Sequence, residues 1–137
     1  MKKFGALLLA CLMMFSVFSV YASANDDYGI MPCWNNTNEV VIVHGAVGTT
    51  ACCQIDINVA WDATIENVDI RLIDMTAGRV VKRWINPTMT VDVVNTHSFY
   101  DEVPNVTLGH DYQLYISCEV WLNGVCDYIN SSWTASY

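Results

Sequence analysis

Positive charge is what this sequence has least of. Six of its 137 residues are Lys or Arg against fourteen Asp or Glu, and two of the six are Lys2 and Lys3. A chain this poor in cations cannot neutralise a run of phosphates, which excludes nucleic acid and anionic lipid surfaces as partners. Helical periodicity is also missing beyond the N-terminal segment, which argues against helix bundles and alternating βαβ folds. There is no internal repeat, low-complexity tract or second long apolar run. No CxxC or HxxxH spacing gathers His44, His97 and His110 into a metal set. No GxSxG elbow presents a nucleophile. The adjacent carboxylates Asp26-Asp27 and Asp101-Glu102 read as solvation, because neighbouring residues of an extended chain point to opposite faces. The expectation is a non-enzyme with no metal and no cofactor.

The N-terminus has the order of a secretory signal peptide: Lys2-Lys3, an apolar run over 4–20, then the small-residue exit Ala22-Ser23-Ala24 before polar Asn25-Asp26-Asp27. The run is about 17 residues, at the lower edge of a membrane span, and the Ala-Ser-Ala exit favours cleavage over anchoring. Leu8-Leu9-Ala10-Cys11 is similar to a lipobox, but the apolar stretch continues past Cys11, where a lipidated Cys would end it. Cleavage after residue 24 predicts a chain starting at Asn25, secreted or held at the cell surface, with no membrane insertion afterwards. The lysine start and short leader look bacterial, so the sequons at Asn35, Asn105 and Asn130 are expected to carry no glycan. Without Lys2 and Lys3, four cations stand against fourteen acids, a net charge near −10.

From Asn25 to Asn38 the chain is polar and punctuated by Gly29, Pro32 and Asn35-Asn36, an irregular arm; residues 39–137 form one domain. Period-two alternation governs that domain. Val41, Val43 and Ala46 mark a first strand. Cys53, Ile55, Ile57, Val59 and Trp61 share one face of the next, with Cys52, Gln54, Asp56 and Asn58 on the other. Val68, Ile70 and Leu72 point inward and Asp69 and Arg71 outward on a third, ended by the turn Ala77-Gly78. Strands over Arg79–Ile85 and Val91–Tyr100 follow. Tyr112, Leu114, Ile116, Cys118, Val120 and Leu122 alternate with Gln113, Ser117 and Glu119, and Asn123-Gly124 then predicts a tight hairpin into a last strand. About seven strands at regular spacing predict an all-β antiparallel sandwich, with a small closed barrel as the alternative.

Val106-Thr-Leu-Gly109-His-Asp-Tyr112, followed by an alternating strand, resembles the tyrosine-corner segment of immunoglobulin-like and fibronectin type III sandwiches. With Val68–Trp84 and the final hairpin, roughly residues 45–137 are similar to small exported immunoglobulin-like domains of Gram-positive bacteria, many of unknown function. The resemblance implies a fold and leaves activity open. One departure stands out: an immunoglobulin domain carries its second Cys two residues after the corner Tyr, and here Cys118 comes six after.

Outside the leader there are five cysteines, Cys33, Cys52, Cys53, Cys118 and Cys126, an odd number that permits a covalent dimer. Cys53 and Cys118 lie on inward faces of strands expected to oppose each other, which predicts an inter-sheet disulfide worth roughly 4 kcal/mol. Five reduced thiols are the alternative. The hairpin register turns Cys126 outward, away from Cys118, and leaves Cys33 within reach of Cys126 or Cys52.

Aromatics are abundant, with five Trp and seven Tyr. Trp61 is in phase with the core, and Trp84 is expected in the core or at an edge. Trp121 falls on an outer face with Tyr115 and Tyr128, a candidate platform for a sugar ring or a partner protein, or a surface covered by Cys33-Trp34. Asn86-Pro87-Thr88 resembles one loop of chagasin-type cysteine-protease inhibitors, whose other two loop motifs are absent. The leading expectation is a secreted, non-enzymatic binding or structural module for an extracellular protein or glycan. The alternative is a small effector or inhibitor acting through loops such as Asn86–Thr90.

Overall fold

The computed structural model describes residues 34–137. The expected signal peptide, Cys33 and arm residues 25–33 lie outside them. Among the described residues eight strands run in order: β1 Thr37–Val47, β2 Thr50–Val59, β3 Thr64–Asp74, β4 Arg79–Ile85, β5 Thr90–Val91, β6 Thr96–Pro104, β7 Asp111–Leu122 and β8 Val125–Ser136. They form two antiparallel sheets, β1-β2-β6-β5 and β4-β3-β7-β8. This is the strand order of an immunoglobulin-like sandwich with one additional edge strand, β4.

The sandwich closes because β2, β3 and β7 each present an unbroken apolar row. Ile55, Ile57, Ile70, Leu72, Leu114 and Ile116 are fully buried, each worth about 1.5–3 kcal/mol relative to exposure. Turn chemistry fixes the registers. Asn123 and Gly124 both adopt positive φ (51° and 80°), so Leu122 faces Val125 and every later β7–β8 pair follows. The corner forms as the resemblance implies: the Tyr112 hydroxyl accepts the Thr107 N–H at 2.8 Å, Val106 is buried, and Gly109 takes φ 83°.

Three expectations change. Val91–Tyr100 is not one strand, because Asp92 Oδ1 accepts the N–H groups of Val94 and Thr96 and folds residues 92–95 into a turn. Trp61 is 71% exposed and not in the core. Alternation ends at Val59; Ala60–Ala63 is a closed turn with Asp62 at φ 68°, so the in-phase Trp rides on its outside. Finally, Thr37 and Asn38, assigned to the arm, belong to β1.

That last shift comes from a buried carboxylate. Asp127 of β8 accepts the N–H groups of Asn35, Asn36 and Thr37 at 2.9, 2.7 and 2.9 Å. Asn36 Nδ2–H donates to Val120 O and Val125 O. Burial would raise the Asp127 pKa, but the three N–H donors outweigh it and hold the group below its usual range. The entry of the chain is thereby strapped to the β7–β8 hairpin.

Candidate functional site

Outward residues of β7 and β8 share the exposed face of the second sheet. Register sets Glu119 against Tyr128, Trp121 against Cys126 and Tyr115 against Ser132. Tyr115, Trp121 and Tyr128 therefore lie on one face, as expected, but not as one platform. Trp121 and Tyr128 are diagonal neighbours, about 7 Å apart in such a ladder. Tyr115 is six residues from Trp121, about 20 Å along the strand.

Around the Trp121–Tyr128 pair the chemistry is acidic. Glu119 Oε2 accepts the Trp121 Nε1–H and an Asn67 Nδ2–H, both at 3.0 Å, which anchors the indole nitrogen. Glu66 of β3 sits directly opposite Glu119. Tyr128 is 72% exposed. Asn67, at the bulge that shifts the β3–β7 register, takes φ 53°, a conformation Asn tolerates better than most residues.

Around Tyr115 the chemistry is cationic. The Arg71 guanidinium lies 5.7 Å from the Tyr115 ring centroid. Asp69 binds Arg83 (Nε and Nη2, both 2.9 Å) and Arg71. Hydrogen bonds from Arg83 first, then Arg71, hold the Asp69 carboxyl at about 2. The two ends of the face thus differ in sign.

The cysteines fall differently from expectation. Cys53 and Cys118 are buried free thiols, and the bridge expected between them is not formed. Cys53 pairs with His44, which bonds Tyr137, which stacks on Tyr112 at 4.4 Å; this places Cys53 level with the start of β7. Cys118 is six residues farther along, about 20 Å, and disulfides need Cα atoms within about 7 Å. Burial pushes both thiols up to about 12. Cys126 is half-buried on the outer face, as the hairpin register predicted, and free.

Three inward polar groups escaped the sequence reading, although each is in phase with an apolar row. Asp127 precedes Ile129 on β8. Asp74 ends the Ile70–Leu72 row, fully buried, and accepts His110 Nδ1–H at 2.9 Å and the Ala77 N–H. His44 lies between the sheets, its Nε2–H donating to Trp133 O at 2.8 Å and its Nδ1 accepting the Tyr137 hydroxyl at 2.6 Å. Burial lowers the His44 pKa, and this pair of bonds suits the neutral ring. Asp101 and Glu102 diverge as expected: Asp101 accepts Trp84 Nε1–H and Glu102 accepts the Tyr100 hydroxyl.

The Asn86–Thr90 segment lies across the edge of the sandwich. With the β3 bulge and His97 it walls a cavity of about 430 Å³, to which Pro87 and Met89 contribute. Asn86 and Val68 exchange two hydrogen bonds that fix this rim. Among the described residues no group of three or more His, Cys, Asp or Glu is placed to hold a metal ion. Searches against protein-family models and against curated proteins found no match to this chain.

Proposed function

We propose that this protein is an exported, non-enzymatic binding module whose outer second-sheet face engages carbohydrate. The observation that carries the reading is the 72% exposed Tyr128 diagonal to Trp121, whose indole N–H is held by Glu119. Rings fixed on a rigid strand face lose little entropy when a pyranose stacks on them. The opposed Glu66 and Glu119 favour an uncharged or amino-bearing sugar over a uronate.

The test is titration of the exported chain with cellohexaose, chitosan hexamer and polygalacturonate. Binding to one of the first two, weakened at least about tenfold by Trp121→Ala or Tyr128→Ala, supports the reading. Preference for polygalacturonate, or no binding to any of the three, removes it. An effector or inhibitor acting through Asn86–Thr90 has less support. Pro87 and Met89 of that segment are half-buried against the sandwich edge instead of projecting as a loop tip.

A further inference from the structure

A second surface lies at the end of the sandwich where Trp121 pairs with Thr64, and it is built by turns instead of the outer strand face. The β2–β3 turn and the β5–β6 turn are bonded to each other there: the Val59 N–H donates to Asn95 O, Asn95 Nδ2–H to Ala60 O, and Asn58 Nδ2–H to Val94 O. Asp92 Oδ1 caps the β5–β6 turn from within, and Ala60 N–H donates to Asn36 O, tying the same end to the chain entry. These bonds hold in place three large apolar side chains that the fold leaves in water: Trp61 at 71%, Val93 at 89% and Val94 at 60% exposure. Apolar tips on loosely held turns would collapse onto the sandwich. Here each turn is braced, so the tips stay out at a standing solvation cost of about 25 cal/mol per Å².

Charge says what fits them. Every cation among the described residues, Arg71, Arg79, Lys82 and Arg83, is on β3 or β4. Arg71 is seven residues down β3 from Thr64, which starts the strand at this end, about 20 Å away. The tips themselves are flanked by the exposed carboxylates Asp62 and Asp92. A second copy docked tip to tip would set these acids against their own images on two strongly acidic chains, and an anionic membrane would meet the same repulsion. We propose that the Trp61–Val93–Val94 end docks a protein surface that offers an apolar hollow rimmed by Lys or Arg. The indole is the anchor, and Asp62 and Asp92 face the basic rim.

The probe is a fluorescein-labelled amphipathic Leu/Lys peptide, compared with a Leu/Glu peptide of the same pattern, followed by anisotropy on the exported chain. The expected result is binding of the Leu/Lys peptide at least about tenfold tighter than the Leu/Glu one and weakened by salt. Trp61→Ser and Val93→Ser each reduce it, Trp61→Ser by about 30-fold, while Tyr128→Ala does not. Both replaced side chains are exposed, so the melting temperature should hold and a loss cannot be put down to unfolding. Equal affinity for the two peptides, undiminished binding by both Ser variants, or no binding up to about 1 mM overturns the proposal. So does Trp61-dependent sedimentation with phosphatidylcholine vesicles, or a Trp61-dependent dimer, in place of peptide binding. Sugar titrations on the Ser variants report the Tyr128 face separately.

Discussion

Removing the Asp127 carboxylate should cost this domain a large part of its stability. Its Oδ2 takes the N–H groups of Asn36 and Thr37, and Oδ1 that of Asn35. In Asp127→Ala the Asn35 donor turns to water, because Asn35 is exposed. Asn36 and Thr37 are 4% and 6% exposed and stay buried. Each orphaned N–H costs about 1–3 kcal/mol, so the expected loss is about 4 kcal/mol, about a quarter or more of a typical stability. For a domain of this length that lowers the melting temperature by roughly 15 °C. In Asp127→Asn one amide oxygen still accepts, and the loss should be about half as large. Urea denaturation measures both.

The pH dependence gives an independent check. Because the folded pKa is depressed, the stabilisation is fully present above the unfolded value of about 3.9 and disappears as pH falls through the lower folded value. Asp127→Asn should flatten that acid limb. A loss under about 1 kcal/mol for Asp127→Ala would refute the strap, because two orphaned buried N–H groups cost more than that.

Tyr112→Phe should cost about 1–1.5 kcal/mol in denaturant titration by deleting the hydroxyl that accepts the Thr107 N–H, with the ring and its stacking on Tyr137 retained. His44 has a folded pKa below its ordinary value. Its stabilising effect should therefore erode as pH drops below about 6.5, where the unfolded chain takes up a proton that the buried ring refuses. His97 is shifted the same way, so His44→Phe should reduce this slope without abolishing it, as read from melting temperature against pH. Iodoacetamide mass mapping of the native chain at neutral pH should leave Cys53 and Cys118 unmodified, since both are buried with thiols near 12; in urea without reductant both should label. A Cys53–Cys118 peptide in that map would overturn their assignment as free thiols.

The sequence by itself determined the layers. On β2, β3 and β7 a side chain's direction depends only on its parity along an extended backbone, so Ile55, Ile57, Ile70, Leu72, Leu114 and Ile116 were legible as core, and Asn123-Gly124 fixed the hairpin register before any contact was known. The same parity placed Trp121, Tyr115 and Tyr128 on one outer face. Tertiary structure decided what parity cannot carry. Trp61 kept the phase of its strand yet lies in water, because a turn at Ala60 stops the strand one residue earlier. Cys53 and Cys118 both point inward but sit at different levels, a stagger set by how two sheets slide when they pack. Apart from the Ala77 N–H next to Asp74, the partners of Asp127, Asp74 and His44 lie 36 to 93 residues away in sequence. Only folding brings a buried charge to its donors, because desolvation makes every inward polar group seek partners wherever the packed chain supplies them.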